Sequence, residues 1–146
     1  MNIFLVDVNS DNWMECVSLK VAKTQKNFVA TNSFSLAQSK YEPNCTPLCI
    51  YNDKTMVGFV MLNEEVDDKK IWICRFMIDE KFQGKGYGKG ALVKIIEYIV
   101  NNYDYQQVYL SEAPENSIAK GLYTSFGFEF TGKIEDEEEV MVFKIK

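Results

Sequence analysis

Between Gln83 and Gly90 glycine occupies every second position, 84, 86, 88 and 90, inside the segment Gln83-Gly84-Lys85-Gly86-Tyr87-Gly88-Lys89-Gly90. Each such glycine costs conformational entropy in a helix or a strand, so the run reads as a loop whose backbone can approach a ligand closely. Upstream, Lys70 to Ile78 reads as a β-strand. Downstream, Ala91, Leu92, Ile95, Ile96 and Ile99 recur at helical spacing and predict an amphipathic helix ending near Asn101-Asn102. Strand, glycine loop and helix in that order offer several N–H groups and the positive end of a helix dipole to an anion. Lys81, Lys85, Lys89 and Lys94 add positive charge to the same region. A phosphate or pyrophosphate is the ligand such a loop holds.

Two known phosphate loops invite comparison. The GxxxxGK spacing followed by Ser or Thr is absent, which excludes a Walker A loop. Gly86, Gly88 and Ala91 satisfy a dinucleotide fingerprint, and Glu112 stands about 20 residues further on, where a ribose-binding acid belongs. Against it, the fingerprint should open almost directly off its strand, whereas Asp79 to Lys85 intervene before Gly86. At 146 residues the chain would also have little room for a substrate-binding half.

The rest of the sequence predicts one α/β (α+β) domain over residues 1–146, with a mixed sheet. Ile3 to Val8 reads as a first strand, and Ser10 or Asp11 can cap a helix through Trp13, Met14, Val17 and Val21. Ser33 can cap a second helix. Leu48 to Tyr51 and Met56 to Leu62 read as strands around the turn Asn52-Asp53-Lys54. Gln107 to Leu110 is a further strand, Asn116 to Ser125 a helix ended by Gly127, and Phe128 to Phe130 and Val140 to Ile145 complete the sheet. Sixteen Lys and Arg against 21 Asp and Glu give a net charge of −5, which disfavours nucleic acid and favours a cationic partner. Cys16, Cys45, Cys49 and Cys74 show no CxxC spacing, histidine is absent, and reduced thiols without a metal are expected. No window approaches the ~18 apolar residues of a membrane span, and Met1 to Asp7 lacks the basic segment of a secretory leader. A cytoplasmic location is the expectation.

Gln83-Gly84-Lys85-Gly86-Tyr87-Gly88 resembles the (Q/R)xxGx(G/A) signature of the GNAT family of N-acetyltransferases. The stretch from Asn116 to Phe128 is similar to the family's N-x-x-A-x-x-L-Y-x-x-x-G-F segment, with Leu122, Tyr123, Gly127 and Phe128 at the matching places. The segments Gln25 to Ala30, Asn32 and Ser35-Leu36-Ala37 are similar to bacterial spermine/spermidine and diamine acetyltransferases. The resemblance implies a sheet of six to seven strands with about four helices, splayed after Ile78 where the cofactor inserts. It implies acetyl-CoA as co-substrate, held by the backbone of Phe76, Met77 and Ile78 along the pantetheine arm and by Gln83, Gly84, Lys85, Gly86, Tyr87, Gly88 and Lys89 around the pyrophosphate. A backbone N–H near Met77 would polarise the thioester carbonyl. Tyr123 would protonate the departing thiolate, and Asn116 would cap its helix and bond the cofactor.

An alkylammonium, with a pKa of ~10.4, must lose a proton before it can attack a thioester. With no histidine available, a carboxylate acting through water is the expected base, Glu112 first, then Glu80 and Asp79. Glu42, Glu64, Glu65 and the run Glu135 to Glu139 could steer a cationic acceptor. A polyamine such as spermidine or spermine is the expected acceptor, and another small amine, an aminoglycoside-like compound or a protein lysine stays open. A CoA-binding sensor without turnover is the non-enzymatic alternative. Dimerisation is expected by analogy with the family alone.

Overall fold

The computed structural model describes residues 1–26, 28 and 30–145. Asn27 and Val29, within the polyamine-acetyltransferase-like stretch, lie outside the described residues. Seven strands and four α-helices follow one another among the described residues: β1 Ile3–Asp7, α1 Trp13–Ser18, α2 Asn32–Tyr41, β2 Cys45–Asn52, β3 Thr55–Glu65, β4 Lys70–Ile78, α3 Tyr87–Asn102, β5 Gln107–Glu112, α4 Ser117–Phe126, β6 Glu129–Glu135 and β7 Glu138–Lys144. They form a mixed α/β fold on one sheet of order β1-β2-β3-β4-β5-β7-β6. Every neighbouring pair is antiparallel except β4 and β5, which α3 connects as a parallel crossover.

Alternation along the strands divides the interior in two. On one face Val60, Leu62, Ile71, Val108 and Leu110 meet Leu92, Ile95 and Ile99 of α3 and Tyr123 of α4. On the other face Cys49, Phe59, Met61 and Met77 meet Cys16 of α1. All four cysteines are free thiols. The predicted first helix is shorter than its apolar spacing suggested: it ends at Ser18, and Val21 lies beyond it in the connection that leads to a single 3-10 turn at Lys23–Gln25. Helix α2 starts two residues earlier than predicted, because Thr31 rather than Ser33 accepts the capping bond, from Phe34 N at 3.2 Å.

Two irregularities shape the middle of the sheet. In β3 the register with β2 skips Val57, and in β4 the register with β3 skips Cys74. An extra residue bends its strand and strengthens the local twist. The Cys74 bulge lies two residues after Trp72, whose pairing with Tyr109 is the last between β4 and β5. Beyond it, Ile73–Ile78 and Leu110–Glu112 run on without pairing to each other. The sheet therefore opens after Trp72, six residues before the expected splay after Ile78. Gly58 holds the far side of this tip, since a Cβ there would stand 2.4 Å from Met77 O.

Candidate active site

The parted strands frame a cleft in two connected parts. One, of about 430 Å³, lies between the glycine loop, the end of β4 and the start of α4, lined by Phe76, Ile78, Gln83, Gly86, Ile118 and Leu122. The other, of about 280 Å³, lies between β4 and the end of β5 and is reached by Cys74, Arg75, Ser111, Glu112, Asn116 and Glu138. Gln25, Phe76, Ala119 and Tyr123 line both.

Backbone alternation decides which groups of β4 face this cleft. Asp79 N donates to Val57 O at 2.8 Å, so 79 and 57 are a hydrogen-bonded pair of the antiparallel ladder. The Met77–Phe59 pair two residues back is then hydrogen-bonded as well, and the amides and carbonyls of Phe76 and Ile78 point away from β3. Gln83 Nε2 donating to Ile78 O at 3.0 Å agrees with that orientation. The cleft-facing N–H groups nearest Met77 are thus those of Phe76 and Ile78. Met77 itself sends its side chain into the second core and receives Asn32 Nδ2 on its sulfur at 3.8 Å.

The glycine loop enters α3 through Gly86, whose φ of 85° lies in the left-handed region. Gly88, in the first turn, sits against Leu122 of α4: a Cβ there would come within 3.2 Å of Leu122 Cδ2. Gly84, Gly86, Gly88, Gln83, Tyr87 and Lys89 all line the larger part of the cleft. Lys85 does not; its ammonium stands 6.0 Å over the Phe82 ring. Tyr87 packs edge-on to Phe82 and receives Asn52 Nδ2 on its hydroxyl at 3.2 Å. A glycine loop at a helix N-terminus beside apolar walls and an unpaired strand edge suits a long ligand with a phosphorylated end and an amide-bearing arm.

Tyr123 is buried between Phe76 and Phe128, with ring centroids at 6.4 and 5.8 Å. Burial first, and then the charges of Glu112 and Glu138, push its phenol well above the ordinary value, so it stays protonated. Asn116 caps α4, its Oδ1 accepting from Ala119 N at 3.4 Å, and also lines the cleft. Glu112 does not follow β5, as the sequence suggested; it is the strand's last residue. Val108, Leu110 and Glu112 alternate onto one buried face, which brings the carboxylate toward α4 at 5% exposure. Neither of its oxygens has a hydrogen-bond partner among the described residues. Burial first, then the charge of Glu139, push its carboxyl above the ordinary range; Lys120 opposes this. Glu139 is itself engaged by Lys120 at 2.9 Å.

The other acids divide by position. Asp79 is buried and accepts from Lys81 N at 3.1 Å, a turn-capping role, and Glu80 is exposed. Glu64 accepts from the Tyr105 hydroxyl at 2.8 Å, and Glu65 from Trp72 Nε1. Glu42 is exposed at the end of α2. The run Glu135 to Glu139 is the β6–β7 hairpin, of which Glu138 reaches the cleft and accepts from Ser111 Oγ at 2.7 Å. Ser111 escaped the sequence reading as a cleft residue, and Arg75, in the strand expected to carry the cofactor, had no role assigned. No signal marked Ser111, whereas Arg75 in an otherwise apolar strand was visible as an anomaly.

Residues 11–128 match the model of the acetyltransferase (GNAT) family. The chain belongs to that family. Among GNAT relatives, the spermine/spermidine N(1)-acetyltransferase of Bacillus subtilis (strain 168) is 32% identical over 97% of this chain and 98% of its own. The N-acetylaspartate synthetase of Danio rerio is 33% identical over 56% of this chain but only 28% of its own length. In fold, an aminoglycoside acetyltransferase AAC(6')-Ib in complex with coenzyme A superposes with a TM-score of 0.80 at 16% identity, covering 98% of this chain and 95% of that one. The spermidine N-acetyltransferase of Vibrio cholerae, in complex with CoA and spermine, superposes with a TM-score of 0.74 at 16% identity, covering 97% and 93%. This GNAT chain has no helix, among its described residues, long and apolar enough to cross a membrane, and no cluster of three metal-ligating side chains.

Proposed function

We propose that this GNAT N-acetyltransferase, with acetyl-CoA as donor, acetylates small cationic amines, polyamines such as spermidine and spermine first. The observation that carries the reading is Glu112, a carboxylate at 5% exposure, without a hydrogen-bond partner among the described residues, lining the acceptor part of the cleft. A buried unpaired charge is costly, and an arriving ammonium is the partner that relieves it. The name and full-length coverage of the Bacillus subtilis relative support the same class of acceptor.

The residues of the larger cavity fit acetyl-CoA. Gln83, Gly84, Gly86, Gly88 and Lys89 would surround its pyrophosphate, and the outward amides and carbonyls of Phe76 and Ile78 would pair with the pantetheine arm like an added strand. When bound, it supplies an acyl group activated as a thioester. Glu112 pairs with the incoming ammonium and, with its raised proton affinity, takes one proton, directly or through one water. The freed nitrogen lone pair forms the new N–C bond as the C–S bond breaks. An outward amide of β4 stabilises the charge that develops on the carbonyl oxygen. The phenol of Tyr123 donates its proton to the departing sulfur and regains one from the amine nitrogen or solvent.

Thiol release from acetyl-CoA, measured with spermine, spermidine, putrescine, an aminoglycoside and a lysine peptide, tests the reading. Release is expected with the polyamines at the highest kcat/KM. Folded protein that releases no thiol with any amine would sink the proposal, and preference for the peptide would remove the polyamines from it.

A further inference from the structure

We propose that the acceptor cleft carries a second cation subsite at the β6–β7 turn, built by Glu135, Asp136 and Glu138 with Glu65, so that the enzyme reads the far end of an extended di- or polyamine. The inference rests on the amine-acetyltransferase reading. The acceptor cavity continues into another of about 270 Å³, and the two share Ile73, Cys74, Arg75, Ser111 and Glu138. Glu65, Trp72, Glu135 and Asp136 line only the outer one.

The order of side chains along this groove matches the chemistry of one ligand class. At the inner end stands Glu112, more than nine-tenths buried and without a partner among the described residues. In the middle lie Ile73, almost fully buried, and Cys74, a neutral thiol whose proton burial holds on by raising its pKa to about 12. At the outer end stand the acids. A cation, a run of methylenes and a second cation satisfy all three stretches, whereas a monoamine leaves the outer acids unused. Arg75 is the one cation lining the groove among the described residues. It is drawn toward α2, its Nη2 donating to Gln38 Oε1 at 3.1 Å and its Nη1 to Cys74 O at 2.8 Å. Four carboxylates against one tethered guanidinium leave the outer cavity attractive to a cation. Trp72, also in its wall, adds an aromatic surface that favours an ammonium.

The turn suits removal of the charges without loss of fold. Asp136 and Glu137 both have positive φ, 49° and 66°, as a two-residue hairpin requires, and asparagine tolerates that conformation as aspartate does. The test is the double variant Glu135→Gln/Asp136→Asn, with kcat/KM measured for spermidine and for n-butylamine at physiological salt. The ratio of the two is expected to fall at least tenfold. Glu137→Gln removes a charge from the same turn without touching the groove, and it should move the ratio less than twofold. A double variant whose ratio stays within twofold of the unaltered enzyme overturns the subsite, and so does an equal fall in Glu137→Gln. If no amine turns over at all, the proposed function fails separately. Spermidine affinity by calorimetry then decides the subsite: a tenfold loss in the double variant supports it, and equal affinity overturns it.

Discussion

Glu112 occupies a position that an apolar residue would fill by rule, since Val108 and Leu110 precede it on the same buried face. Its carboxyl is held above the ordinary carboxylate range, chiefly by burial, and the sign of the consequence follows. In the unfolded chain it ionises near pH ~4.3, while in the fold it keeps its proton to higher pH. Between those two values the native state binds more protons, so its stability falls as pH rises, and the full cost persists above the raised value. Glu112→Gln should therefore melt higher at pH 8, by roughly 3 °C, and the gain should vanish below pH ~4. Activity should move oppositely. The unaltered enzyme should gain kcat/KM as pH rises through the raised value, while the variant loses that limb and about 100-fold in rate. A variant that melts higher yet keeps full rate would remove Glu112 from the chemistry. Tyr123 separates proton donation from packing in the same way. Tyr123→Phe keeps the ring between Phe76 and Phe128 and should lower kcat about 100-fold, with CoA affinity by calorimetry unchanged within roughly threefold. Equal loss of both would make the tyrosine structural.

Strand β4 shows what periodicity can and cannot convey. Its bounds, Lys70 and Ile78, were readable to the residue, because an apolar run lies between acidic turn residues and the glycine loop. Its bulge at Cys74 was not, because a bulge is a mismatch between two strands and leaves no mark in either alone. The family resemblance put the opening of the sheet after Ile78, and nothing in the sequence of β4 moved it to Ile73. Helix α4 and its cap Asn116 were legible, being a local pattern of cap, apolar face and terminal Gly127. Glu112 was named as a base but set outside the strand, since a charged residue normally ends a strand rather than continuing its buried face. Gly58 belongs to this scale too. Its Cβ would meet the carbonyl of Met77, a backbone atom that no rotamer change can move. Gly58→Ala should cost about 2 kcal/mol, lower Tm by roughly 6 °C, and weaken CoA binding by shifting the β4 tip. Calorimetry and a melting curve check both; an unperturbed variant would mean that β3 and β4 slide freely at this end.

Across the whole molecule, the proposed cofactor site is where the sheet fails to close. Strands β4 and β5 pair only at Ile71–Val108 and Trp72–Tyr109, so beyond these residues the two halves are joined through α3 and the packing of α4. A ligand that inserts there supplies the missing strand edge to β4 and touches α3 and α4 together, tying both halves across the gap. Binding to the native state alone stabilises by about 2.7 kcal/mol at a hundredfold excess over Kd, which for a chain of this size raises Tm by roughly 8 °C. CoA should produce such a shift, and amide exchange should slow at the β4 tip, the glycine loop and the first turn of α4 together. NAD carries the same pyrophosphate but lacks an arm that can pair along Phe76–Ile78. The loop also begins only after a 3-10 turn, Glu80–Phe82, instead of directly off the strand as a dinucleotide fold requires. NAD at the same concentration should thus leave Tm unchanged within about 1 °C. A shift by NAD equal to that of CoA would mean that the glycine loop alone governs binding and that the parted strands contribute nothing to it.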